Sequence, residues 1–101
     1  MPKVHETLAP DTALALKALG EAVRRSRRRR RWTQEQLAKR IGASDRTIRQ
    51  LERGMPSVTI GVLAAVLEIF GLHQQLTELL ANDRVEVTRR TGKAKKLDAD
   101  F

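Results

Sequence analysis

The stretch Trp32-Thr33-Gln34-Glu35-Gln36-Leu37-Ala38-Lys39-Arg40-Ile41-Gly42-Ala43-Ser44-Asp45-Arg46-Thr47-Ile48-Arg49-Gln50-Leu51-Glu52-Arg53-Gly54 decides how this chain is read. Thr33 and Gln36 have the spacing of a capping box. The hydroxyl accepts from the N–H three residues on, and the Gln36 side chain returns to the Thr33 N–H. That predicts a helix to about Arg40 that buries Leu37, Ala38 and Ile41. Gly42 follows, where a tight turn needs positive φ. Ser44 then caps another helix, Asp45 to about Arg53, ended by Gly54 with Pro56 beyond. Two short helices joined by a glycine-bearing turn form a helix-turn-helix pattern.

The second of these helices carries the chemistry. On a wheel at about 100° per residue, Ile48 and Leu51 mark the buried side. Arg46, Arg49, Gln50 and Arg53 fall opposite. Arg pairs bidentately with guanine and Gln with adenine in the major groove of DNA. A two-residue core stripe backed by an Arg/Gln face is what a recognition helix needs, although an ordinary amphipathic surface helix also carries such residues.

Charge agrees with that reading. The chain has 101 residues, with 20 Lys+Arg and 12 Asp+Glu, a formal net charge of +8. From Lys17 to Arg53 there are 13 basic and 4 acidic residues; the remainder holds 7 basic and 8 acidic. The whole excess therefore lies in one segment, which points to a polyanionic partner. Inside it, Arg24 to Arg31 holds seven arginines in eight residues. Such a run repels itself and gains stability from a bound polyanion.

Outward from the motif, Met1 to Asp11 reads as irregular, with Pro2 and Pro10. Asp11 or Thr12 is placed to cap a first helix, Ala13 to about Arg30, with Leu16, Leu19, Val23 and Ser26 or Arg27 at helical spacing. A fourth helix is expected after Ser57 or Thr59 and before Gly71, burying Ile60, Leu63, Val66 or Leu67, and Phe70. A fifth covers Leu72 to about Ala81. Its Leu72, Leu76, Leu79 and Leu80 are more apolar than one small domain needs, which predicts a dimer interface. Arg84 to Thr88 alternates with period two and permits a short strand at 84–88, through which Val85 and Val87 would extend that interface. Thr91 to Phe101 is polar and charged. The expected organisation is a mobile arm (1–12), one DNA-binding domain (13–82) and a C-terminal tail (83–101).

Several classes are excluded. There is no Cys, hence no disulfide scaffold or cysteine metal site. No signal-peptide-like stretch opens the chain, and the longest apolar-plus-Gly run, Ile60 to Leu67, is far short of the ~20 residues of a membrane span. A cytoplasmic, non-enzymatic protein without metal, cofactor or small-molecule ligand is expected. His5 and His73 stand far apart and read as solvent-exposed, and no phosphate loop or paired catalytic carboxylates appear. An RNA-binding role is disfavoured by the lack of exposed aromatics for base stacking.

Trp32 to Gly42, followed by Thr47-Ile48-x-x-Leu51-Glu52-Arg53-Gly54, resembles the Xre-type helix-turn-helix family, which includes lambdoid phage repressors and many bacterial antitoxins. With Pro56 and Thr59-Ile60, the segment is most similar to HipB-type antitoxins. The resemblance covers roughly Leu19 to Leu72. It implies an all-α, five-helix lambda-repressor-like domain with a short polar tail, and a homodimer bound to a double-stranded DNA operator. It further implies repression of the chain's own promoter and, as a partner, a HipA-like kinase toxin. A phage-type repressor without a toxin, or a module whose first role is to neutralise a partner protein, are the alternatives.

The resemblance also implies roles. Asp45, Arg46, Arg49 and Gln50 match base-facing positions, and Thr33, Gln34, Ser44, Thr47 and Arg53 match phosphate contacts; the arginine run adds Arg29, Arg30 and Arg31. Arg27 and Glu52 match a structural ion pair between the first and third helices. Arg31 departs from the family, which usually has a small residue there, often Gly. Arg31 must therefore tolerate the turn, or the first helix must continue further.

Overall fold

The computed structural model describes residues 7–85. It contains five helices and, among the described residues, no strand: α1 (Pro10–Arg29), α2 (Gln34–Ile41), α3 (Asp45–Glu52), α4 (Ile60–Ile69) and α5 (Gln75–Glu78). The fold is all-α and of helix-turn-helix type. Residues 1–6 and 86–101, which include most of the 84–88 segment, lie outside the described residues, and so does Val87.

Three helix starts and one stop have local side-chain or glycine causes. The Thr33 hydroxyl accepts the Gln36 N–H at 3.0 Å and the Thr33 N–H donates to Gln36 Oε1 at 2.9 Å, a complete capping box. Gly42 closes α2 at φ 73°. Ser44 caps α3 through the Thr47 N–H at 3.1 Å, and Thr59 caps α4 through the Val62 N–H at 3.2 Å. The first helix differs from expectation. It begins at Pro10, three residues before Ala13, and its N-cap Ala9 supplies no side-chain bond. Proline lacks the N–H that a first helical residue leaves unpaired and has φ already set for the helix. Asp11 sits in the first turn, where a negative charge suits the helix dipole.

The core is aliphatic, as so few aromatics require. Val23, Leu37, Ala38, Ile48, Leu51, Val66 and Phe70 are buried, and Trp32, Ile41, Val58, Val62 and Leu63 pack against them. Helices α1 and α2 thus pack against the Ile48/Leu51 side of α3, and α4 packs against α2. Ile60, expected on the buried face of α4, is 76% exposed. As the first residue of α4 it lies beyond the layer that Leu63, Val66 and Phe70 reach. The fifth helix is shorter than its leucine spacing suggests. The N–H groups of Gln75, Leu76, Thr77, Leu79 and Ala81 each bond three residues back, so the segment is mostly tight turns around one α-helical turn. Gln74 gives no side-chain cap.

Two glycines set how close α1 and α3 come. A Cβ on Gly20 would lie 2.5 Å from the carbonyl oxygen of Glu52 and 2.7 Å from that of Leu51. One turn away, a Cβ on Gly54 would lie 2.5 Å from the carbonyl oxygen of Leu16. Gly54 also has φ 74°, so its conformation and its packing both call for glycine.

Candidate nucleic-acid interface

The outer face of α3 is held by its inner one. Ile48 and Leu51 are buried, while Asp45, Arg46, Arg49 and Arg53 are exposed and Gln50 and Thr47 half-buried. Asp45 and Arg49 form an exposed i,i+4 pair, Oδ2 to Nη1 at 3.4 Å. Asp45 thus stands in the first turn of α3, where a negative charge suits the helix dipole, within reach of Arg49. The Ser44 and Thr47 hydroxyls lie 3.0 Å apart, so each is partly committed to the cap.

Beneath this face lies a buried polar node. Arg27 Nε sits 2.6 Å from Glu52 Oε2, and Arg27 Nη2 donates to Glu52 Oε1 at 3.1 Å. The remaining Arg27 nitrogen donates to the Trp32 carbonyl at 2.7 Å, and Gln34 Nε2 donates to Glu52 Oε1 at 2.9 Å. One carboxylate at the end of α3 thus ties together the end of α1 and the start of α2. Its bidentate geometry offsets much of the desolvation that burying two charges costs. Gln34 has a second amide hydrogen, and its backbone N–H belongs to the open first turn of α2.

The arginine run is divided by the structure. Arg30 is half-buried. Its guanidinium donates to the Ser26 carbonyl at 2.9 Å and the Phe70 carbonyl at 3.0 Å, and stacks 4.3 Å above the Phe70 ring. It therefore closes the end of α4, and its guanidinium is engaged within the domain. The cause is tertiary: the end of α1 passes over the end of α4. Arg29 stays exposed, near Ser26 Oγ at 3.4 Å. Arg31 is exposed at φ 60°, so it takes the left-handed turn itself and α1 stops. Trp32 stacks on Phe70 with centroids 6.2 Å apart, and the Arg40 guanidinium lies over the Trp32 ring at 4.2 Å.

Between α1 and α3 runs an open cleft that the sequence did not single out. Lys17, Glu21, Arg24 and Arg27 line it from α1, Thr33 and Gln34 from the start of α2, and Arg49, Glu52 and Arg53 from the end of α3. Lys17, Glu21, Arg24 and Arg28 share one side of α1 by helical spacing, next to the buried line of Gly20 and Arg27. That spacing was the available signal. It was masked because Arg24 and Arg28 sit in a run where every position but Ser26 is Arg.

A family model described as a helix-turn-helix domain matches residues 18–80, more than half of the chain. The chain belongs to the helix-turn-helix domain family. It is accordingly a DNA-binding regulator in type, and the matched span takes in α2, the turn and α3. No curated protein and no solved structure matches it. Among the described residues no helix is long and apolar enough to cross a membrane, and no group of His, Cys, Asp and Glu is placed to hold a metal ion.

Proposed function

We propose that this helix-turn-helix protein is a sequence-specific transcriptional repressor that binds its own operator as a homodimer. The observation that carries the reading is the exposed Arg46, Arg49 and Arg53 face, with half-buried Gln50 beside it, on a helix whose other side is locked into the core. In this reading α3 enters the major groove, where Arg46, Arg49 and Gln50 read base edges and Asp45 orients Arg49. Thr33, Gln34, Ser44, Thr47 and Arg53 hold flanking phosphates, helped by Arg29 and Arg31. Repression follows from occlusion of the promoter.

Dimerisation is supported by apolar surface near the end of the domain. Leu72 is 40% exposed, Leu79 72%, Leu80 79% and Val85 76%, with Leu76 half-buried. Leucines left open on a small domain favour a self-complementary contact. Two-fold pairing would set two α3 helices about 34 Å apart, one turn of DNA. An antitoxin role beside a HipA-like kinase rests on the sequence resemblance alone.

The test is binding to a duplex from the upstream region of its own gene, against a scrambled duplex, at several salt concentrations. Arg46→Ala and Gln50→Ala should each lose about 1–3 kcal/mol on the native duplex and relax its preference. Arg53→Ala should weaken both duplexes alike and lower the salt dependence. If all three variants behave the same way, the division into base readers and phosphate contacts is wrong.

A further inference from the structure

The cleft between α1 and α3 is the charged surface that the base-reading helix does not account for. Five basic and two acidic side chains line it. One of each, Arg27 and Glu52, is committed to the buried node. Arg49 and Arg53 belong both to the cleft and to the exposed face of α3. Lys17 and Arg24 are exposed, and neither has an ion-pair partner among the described residues. We propose that Lys17 and Arg24 form a second backbone-binding strip, which grips the DNA phosphates from α1 while α3 occupies the groove.

Three features favour this over a loose solvated face. Lys17 and Arg24 are two turns apart on one side of α1, about 10 Å along its axis, the axial rise of about three nucleotides of one strand. They therefore address different phosphates of one strand. The cleft is open to solvent, and it shares Arg49 and Arg53 with the α3 face, so the two surfaces are continuous. Its walls are also fixed, because Gly20 brings the α1 and α3 backbones into contact and Arg27 bonds Glu52 across them. Glu21 stands between the two cations in the same cleft. Its carboxylate lowers the positive charge of the strip, but Lys17 and Arg24 outweigh it by one charge.

The inference rests on the proposed DNA-binding reading, and the test separates the two. Lys17→Ala/Arg24→Ala is compared with Arg25→Ala/Lys39→Ala, which removes the same charge from exposed positions outside the cleft. Binding to the native and scrambled duplexes is titrated against salt, and phosphate-ethylation interference is mapped on the native duplex. The cleft variant should lower the slope of log K against log salt by about 1.8, or 0.9 per lost phosphate contact. It should reduce affinity for both duplexes by one factor and erase a block of interfering phosphates. Lys17→Arg/Arg24→Lys should restore all three. A slope change no larger than that of the control variant, with the same interference pattern as wild type, overturns the proposal. If wild type prefers neither duplex but the cleft variant still lowers the slope, the base-reading assignment fails and the α1 strip stands. No binding to either duplex removes both.

Discussion

Replacing Gly20 with Ala adds one methyl group at one of the two closest backbone approaches that glycine makes among the described residues. Its carbon would lie 2.5 Å from the Glu52 carbonyl oxygen and 2.7 Å from that of Leu51. Both are backbone atoms of the last turn of α3, so no side chain can swing aside. The helices must part by roughly 1 Å to restore ordinary contact. A shift of that size carries the 3.1 Å Arg27 Nη2–Glu52 Oε1 contact out of hydrogen-bond range. Overpacking of this kind costs about 1–3 kcal/mol, and loosening the buried pair adds about 1–2 kcal/mol. Against this, Ala is better than Gly in a helix by about 1 kcal/mol. The net loss is about 2 kcal/mol, a fall in Tm of roughly 10 °C for a domain of this size.

Circular dichroism gives the melt, and the single Trp32, half-buried against Phe70, gives an independent fluorescence signal. Gly61→Ala is the internal control. It also places Ala in a helix, but the added carbon meets nothing nearer than Thr59 Oγ1 at 3.8 Å. Propensity alone should then raise stability by about 0.5–1 kcal/mol. If Gly20→Ala melts at or above the wild-type temperature, the close approach of α1 and α3 does not require glycine and the packing argument is refuted.

Other substitutions probe separate parts of the structure. Glu52→Gln leaves Arg27 buried without its counter-charge and should cost about 3–5 kcal/mol in urea unfolding. Arg27→Met/Glu52→Leu should recover most of that stability while DNA binding stays weak, because Gln34 has lost its anchor; recovery of both would show that Gln34 needs no such support. Arg31→Gly removes a left-handed non-glycine residue and should raise stability by about 0.5–1 kcal/mol; an unchanged or lower Tm would show that the Arg31 side chain offsets the strain. Arg30→Ala removes the bond to the Phe70 carbonyl and the contact with its ring, for about 1.5–2 kcal/mol in thermal unfolding. The slope of DNA binding against salt should stay unchanged in that variant; a lower slope would return Arg30 to the phosphate contacts.

The parts of this fold that could be read from the sequence are those whose causes are local. Thr33 with Gln36, Gly42 and Ser44 act across three or four residues of backbone, so their spacing is enough to place α2, the turn and α3. The Arg/Gln face of α3 follows from one helix and its period. What escaped depends on which helices meet. Gly20 looks like a mild defect in α1 until the carbonyls of Leu51 and Glu52 are set against it. Arg30 cannot be told from its neighbours in a run of arginines until the end of α4 arrives beneath it. Lys17 and Arg24 become one surface with Arg53 only when α1 and α3 pack side by side. Leucine spacing in the fifth segment showed apolar surface but not helix length, because too little packs on that segment to extend the helix.

The contact at Gly20 has a mechanical consequence. With carbonyl oxygens against a bare Cα on one side and a bidentate charge pair on the other, α3 has no lower-energy seat to slide or roll into. If α3 reads base edges as proposed, it cannot adjust its pitch to suit a groove of different width. The duplex must conform, and the energy of bending or twisting it depends on base steps that no side chain touches. Under the proposed operator-binding reading, discrimination would extend to sequence lying between the points of contact, through the compliance of those base steps.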